Sequence, residues 1–255
     1  MLFTCAGLAG ALAAGAALPD PLWSIGTSNG AAMEFAPGGR DRLEFKVGES
    51  VVSRDFAGSH TGSVGWDGRV KERPYLIYFD LPEPPEGHYE LVLDLLFSTG
   101  APAQFKIMVN EQLGLFPLRP VPRPSTWGEE GNDMLLAKQQ LVVPIAAAWL
   151  KPKGNRISLI PLGLGSLSYD ALCLRRTAAV PDAPPQLAPS IFFHQRGDQL
   201  VEVCDLLVPF TRRFDRATAA VTLGGQTFNA TLTNALYDFG VWVEPLEIPA
   251  ARVTG

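Results

Sequence analysis

Apolar residues alternate with polar ones at period two along most of the chain. That spacing gives a β-strand one buried face and one wet face. Leu43, Phe45 and Val47 alternate with Arg42, Glu44 and Lys46. Tyr75, Ile77, Phe79 and Leu81 share one face, and Phe105, Ile107 and Val109 share another. From Tyr89 to Phe97 the odd positions (Tyr89, Leu91, Leu93, Leu95, Phe97) are apolar, with His88, Glu90 and Asp94 opposite. Leu141, Val143 and Ile145, then Ile157 and Leu159, continue the pattern. Only Ala146 to Leu150 reads as helical, a short turn stopped by Pro152 and Gly154. Many short strands with one polar face predict an all-β fold in which two antiparallel sheets pack face to face, a β-sandwich of jelly-roll type.

The pattern breaks at Ala178 to Pro189 (AAVPDAPPQLAP), where prolines replace large apolar residues, so this stretch reads as a linker. Strand signals resume at Ile191 to Phe193 and Leu200 to Val208. A hairpin follows, Ala219 to Leu223 and Thr227 to Leu232, joined through Gly224-Gly225. About 65 residues rarely complete a sandwich of their own, so the tail reads as an incomplete second β domain. The expected division is a leader over 1–20, a sandwich over 21–177, a linker over 178–189 and a partial β domain over 190–255.

Composition narrows the function classes. The 255 residues carry a net charge of -5, with lysines and arginines scattered, which argues against nucleic acid and against a membrane surface. Leu2 to Leu18 is an unbroken apolar run with Ala14-Gly15-Ala16 as a small-x-small cleavage form. It predicts a secretory signal and a secreted or periplasmic protein, although the first positive charge is only Arg40. Cys5, Cys173 and Cys204 show no zinc-ligand spacing and read as free thiols.

Two polar segments carry candidate chemistry. Asp55 to Arg73 (DFAGSHTGSVGWDGRVKER) is rich in Gly and holds His60, Trp66, Asp67, Arg69, Lys71 and Arg73. Sugar sites need an aromatic face for the apolar side of the ring and carboxylate or basic groups for its hydroxyls; acidic sugars add a demand for Arg or Lys. Leu118 to Asp133 (LRPVPRPSTWGEEGND) offers Trp127 beside Glu129 and Glu130, in a loop long enough to suggest function. The expected ligand-binding residues are therefore Trp66, Asp67, Arg69, Lys71, Arg73, Trp127 and Glu129. Two catalytic patterns are weaker. Gly26 to Gly30 matches G-x-S-x-G but lacks the strand-turn-helix context a nucleophile elbow requires. Proton abstraction from a uronic acid could be assigned to His60 or Lys71, with Arg69 stabilising the charge.

Two further stretches, Leu22 to Phe35 and Leu141 to Leu174, hold Trp23, Ile25 and Gly26 as W-x-I-G, then Glu34-Phe35, Lys153-Gly154-Asn155 and Tyr169-Asp170-Ala171-Leu172. With Tyr75 to Leu81 and Phe105 to Asn110 between them, they resemble the C-terminal carbohydrate-binding-like sandwich of family 4 polysaccharide lyases, the rhamnogalacturonan lyases. The resemblance runs from Trp23 to Leu174. It implies a galactose-binding-like sandwich that binds a polysaccharide or supports a larger enzyme, with the lyase chemistry in another domain. No cofactor is implied. Sandwiches of this kind often hold a structural calcium near their first and last strands, where Glu34 and Asp170 are the candidate hard oxygen ligands; no Asp-rich loop supports such a site, and Asp170 reads equally well as a hydrogen-bond acceptor for a turn. The expectation is thus a non-catalytic carbohydrate-binding or supporting module of a larger bacterial polysaccharide-degrading protein. The alternatives are a piece of a rhamnogalacturonan lyase or glycoside hydrolase whose catalysis lies elsewhere, and a purely structural sandwich.

Overall fold

The computed structural model describes residues 20–38, 41–65, 67–97, 103–118, 137–178, 184–188, 193–223 and 225–249. They fall into two compact units, one within Pro19–Pro181 and one within Asp182–Gly255. Among the described residues no helix is long and apolar enough to cross a membrane.

The first unit is a β-sandwich. Its strands are β1 (Trp23–Gly26), β2 (Leu43–Lys46), β3 (Ser59–Thr61), β4 (Tyr75–Phe79), β5 (His88–Phe97), β6 (Gln104–Val109), β7 (Gln112–Pro117), β8 (Ala137–Ala146), β9 (Asn155–Leu162) and β10 (Ser166–Thr177). One sheet runs β1-β10-β5-β8, with β3 also paired to β10; the facing sheet is built from β7, β6, β9, β4 and β2. The helical expectation at Ala146 to Leu150 appears as a 3-10 turn over Ala147–Trp149, and a four-residue helix α1 (Val52–Asp55) also forms.

The period-two residues form the core. Tyr89, Leu91, Leu93 and Leu95 of β5 lie buried with Leu141, Val143 and Ile145 of β8, while Tyr75, Ile77, Phe105, Ile107, Ile157 and Leu159 come from the other sheet. Val92 and Leu96, on the face of β5 opposite its odd-numbered core residues, are buried as well. On that face Val92 lies between Cys173 of β10 and Val142 of β8, and Leu96 between Ser168 and Lys138.

Between named strands the pairing departs from the all-antiparallel expectation where β2 and β4 run parallel, with Leu43 opposite Tyr75; the isolated bridge Ala36–Ala57 is parallel as well. Parallel neighbours need a long crossover. Here the chain leaves β2, passes through α1, contributes β3 to the opposite sheet and returns as β4. The expected polar loop from Asp55 is therefore shorter than the sequence suggests. Its first part packs inside, with Phe56 fully buried and ringed by Phe35, Phe45, Tyr75 and Tyr169 at centroid distances of 5.4–5.8 Å.

One end of the sandwich is closed by an amide network. Asn110, at positive φ in the β6–β7 turn, donates to Asn155 Oδ1 and the Trp149 carbonyl, and its Oδ1 accepts the Arg156 N–H. Asn155 in turn bonds both backbone groups of Lys151, so the buried amide pair is satisfied. The Lys153-Gly154-Asn155 signature thus marks a capped strand start, where the Gly154 N–H also reaches Asp80.

In the second unit, β13 (Gln199–Phe210) pairs with β11 (Gln186–Ala188), β12 (Phe193–Arg196) and β16 (Phe239–Pro249), while β14 (Phe214–Leu223) and β15 (Gln226–Asn234) form the expected hairpin. Cys204, Leu206, Leu246 and Ile248 from the sheet meet Ala219, Val221, Ala230 and Leu232 from the hairpin in a core of their own. Strand β11 lies within the stretch expected to be linker; Leu187 supplies the apolar side chain that packs there.

Candidate functional site

Topology brings the attachment points of both polar segments to one end of the sandwich. The long segment after β7 leaves at Leu118, whose N–H donates to the Ala103 carbonyl, and Ala103 in turn donates to Leu162 at the end of β9. It re-enters at Ala137, opposite Phe97, the same residue that faces Leu167 at the start of β10. The other segment leaves β3 at Gly62, whose N–H donates 2.8 Å to the Gly165 carbonyl in the β9–β10 turn. A side chain on Gly62 would strike the Gly163 carbonyl, so this close approach requires glycine.

From there residues 63–65 and 67–71 pair as the two sides of a small hairpin. Val64 bridges Val70, Lys71 N–H donates to the Ser63 carbonyl, and Gly65 and Gly68 close the tip. On this hairpin Asp67 accepts the Arg69 N–H at 3.1 Å and its carboxylate lies 3.5 Å from the guanidinium. Lys71 and Arg73 converge on one carboxylate, Asp41, through Nζ and through Nε at 3.1 Å, while Arg73 Nη1 donates 2.7 Å to the Gly62 carbonyl. The hydrogen bond from Lys71, then that from Arg73, holds the Asp41 carboxyl below its ordinary pKa. Glu72, between them, pairs with Lys106.

Of the expected ligand residues, Asp67, Arg69, Lys71 and Arg73 therefore sit on one hairpin and its exit. Arg69 is exposed and Arg73 half-buried as a strut. Trp66, Trp127 and Glu129 lie outside the described residues. Asp41 is the member the sequence did not reveal. Its only signal is arithmetic that presupposes the parallel register: it precedes Leu43 by the two residues that separate Arg73 from Tyr75.

His60 does not belong to this surface. It is fully buried, stacked on Tyr75 at 3.6 Å, with Nε2 against the Arg73 carbonyl and Nδ1 2.7 Å from the Tyr169 hydroxyl. A carbonyl only accepts, so Nε2 carries the proton and Nδ1 accepts from Tyr169. Burial pushes the His60 pKa down to about 3 and raises that of Tyr169 well above its usual value. The imidazole is a structural post with no route to a substrate, which removes it from any proton-abstraction scheme.

The other sequence signals resolve into structure. A β-bulge in β10 between Tyr169 and Ala171 shifts the alternation, so Leu167 and Tyr169 point inward before it and Leu172 and Leu174 after it. Asp170, at the bulge, accepts N–H groups of Asn29, Gly30 and Ala31 at 2.9–3.2 Å. The G-x-S-x-G stretch is the turn so held, and Gly26 at φ 78 sits where a Cβ would meet the Asp170 carbonyl at 2.8 Å and the Phe35 ring. Glu34 accepts the Thr27 N–H. Asp170 thus takes the turn-holding role that its sequence context also allowed. Among the described residues no three His, Cys, Asp or Glu side chains gather as metal ligands. Cys173 and Cys204 are not joined by a disulfide.

No protein-family model matches the chain, and no curated protein matches it. Among solved structures it is similar to a GH2 beta-galacturonidase from Eisenbergiella tayi, bound to galacturonate. The TM-score is 0.23 and the identity 13%, over 70% of this chain and 29% of that one. The chain spans less than a third of that enzyme's length. That enzyme is a glycoside hydrolase, not a family 4 lyase, and a likeness of this extent assigns no activity to the chain.

Proposed function

We propose that the first unit is a non-catalytic carbohydrate-binding module of a larger, secreted or periplasmic polysaccharide-degrading protein. The supporting observation is the gathering, at one end of the sandwich, of the Asp41–Lys71–Arg73 cluster and the Asp67–Arg69 pair, where the Leu118–Ala137 connection also begins and ends. A sugar hydroxyl both donates and accepts, so adjoining carboxylate and cationic groups suit it. Trp66, next to Asp67 in sequence, and Trp127 supply the aromatic faces. Affinity for such a solvent-facing patch lies in the range of about 1 mM to 1 µM.

A glycan-array screen of residues 20–177, with and without calcium, tests the reading. Trp66→Ala and Trp127→Ala each weaken binding while melting shifts by no more than a few degrees. Retained binding in the double variant removes this site. Failure to bind any glycan favours a sandwich that only braces a neighbouring catalytic domain, and activity of this chain alone on rhamnogalacturonan favours the lyase alternative.

A further inference from the structure

We propose that the end of the sandwich opposite the Asp41–Lys71–Arg73 cluster carries a second saccharide subsite, in which Trp149 stacks on a pyranose ring while Glu111 and Lys151 hold its hydroxyls. The inference rests on the carbohydrate reading above and adds a second point of attachment to it.

Trp149 ends the 3-10 turn that follows β8, and no residue of that turn is buried. Trp23, by contrast, is 6% exposed and packs on the Phe79 ring. A large aromatic ring left half-buried at a strand end keeps apolar surface in water, and its neighbours Ala147 and Ala148 have too little bulk to cover it.

The buried amide pair fixes the backbone on both sides of this ring. Asn110 donates to the Trp149 carbonyl at 2.7 Å, and Asn155 bonds both backbone groups of Lys151. Glu111 follows Asn110 directly, and its Oε1 accepts from Lys151 Nζ at 2.9 Å. That hydrogen bond, then the Lys151 charge, holds the Glu111 carboxyl below its ordinary pKa, so it remains an acceptor at neutral pH. The Lys151 and Glu111 side chains are 53% and 73% exposed. With one bond made between them, the ammonium keeps two protons for a ligand and the carboxylate keeps its second oxygen.

A pyranose presents an apolar C–H face and a rim of hydroxyls that both donate and accept. An indole beside a carboxylate and an ammonium complements both parts. Strand β9, with 8 residues, separates the two ends of the sandwich by about 26 Å. That is far more than one sugar ring spans, so the two ends meet separate stretches of a glycan or separate glycan chains.

The test is affinity electrophoresis of the full chain in native gels containing pectin, xyloglucan or mixed-linkage glucan. Wild type is expected to be retarded by at least one of them. Trp149→Ala and Glu111→Ala should each weaken that retardation at least about fivefold, and Trp149→Phe should keep most of it. The Trp66→Ala/Trp127→Ala variant should retain binding that Trp149→Ala then removes. Glu111 is exposed, so Glu111→Ala is expected to melt like wild type and reads binding even where Trp149→Ala disturbs the fold. Retardation of Glu111→Ala equal to that of wild type, or of a natively melting Trp149→Ala equal to that of wild type, overturns the inference while leaving the carbohydrate reading standing. Unaltered mobility of wild type in all three polysaccharides overturns both.

Discussion

Asp41 accepts a hydrogen bond from Arg73 Nε at 3.1 Å although the two residues are 32 positions apart. The contact exists because Leu43 and Tyr75 pair in parallel, so residues two positions before each lie side by side at the same end of the sheet. Had β2 and β4 run antiparallel, Asp41 would sit at the opposite end from Arg73 and the cationic pair would be unanswered. Direction of one strand thus decides the charge of the candidate site.

The buried imidazole of His60 makes stability depend on pH with a definite sign. Its pKa is about 3 in the folded chain against an ordinary 6.5, so between these values the unfolded chain binds the extra proton. Stability then falls as pH falls through this window, by about 1.4 kcal/mol per pH unit from this group. His60→Gln removes the contribution. The difference in unfolding free energy between wild type and His60→Gln, measured by urea denaturation from pH 7.5 to 4.5, should shrink steadily toward acid. A constant difference would mean that His60 is solvated in the folded state.

Asp170 holds three backbone N–H groups of the turn after β1 while only 3% exposed. Asp170→Ala leaves these donors without their charged acceptor and should destabilise the first unit by about 1.5–3 kcal/mol. Thermal unfolding at neutral pH reads this directly. Unchanged melting would show that water replaces the carboxylate at no cost.

Leu93 lies at the centre of β5 with none of its side chain exposed. Leu93→Asp places an unpaired charge between the sheets and should cost more than about 4 kcal/mol. Soluble protein melting like wild type would show that the inward face of β5 is misassigned.

The proline-rich stretch from Ala178 to Pro189 contains the division between the two compact units, and β11 occupies only Gln186–Ala188 of it. Limited proteolysis should cut between β10 and β11 and release a resistant fragment ending near Arg176. Resistance of the whole chain to the protease would mean that the stretch is protected along its length.

Much of the sandwich was legible beforehand, and the reason is local. Side chains on a strand alternate by covalent geometry, so Leu91 and Leu93, or Ile157 and Leu159, announce their burial wherever the strand ends up. The Gly-Gly pair between Leu223 and Gln226 announced its hairpin in the same way, and Gly225 takes a positive φ of 78 that few other residues tolerate. Asp67, Arg69 and Lys71 could be grouped because they share one short segment. The bulge at Asp170 was not read from the sequence; it shifts the phase between Leu167–Tyr169 and Leu172–Leu174, and the turn at Asn29–Ala31 rests on it.

The sequence by itself determined the class of fold, the inward faces of most strands and the polar residues available for recognition, because each of these depends on neighbours within a few positions. Tertiary structure decided what those residues meet. Phe56 and His60 sit in a segment that reads as polar loop, yet the crossover between sheets carries both into the core, where desolvation turns His60 from a candidate base into a neutral post. Asp41 lies outside every segment the pattern singled out, yet strand direction sets it against Lys71 and Arg73. Pairings across 30 or more residues depend on how strands are ordered and oriented. Alternation along one strand is blind to that, because a face looks the same whichever neighbour lies beside it.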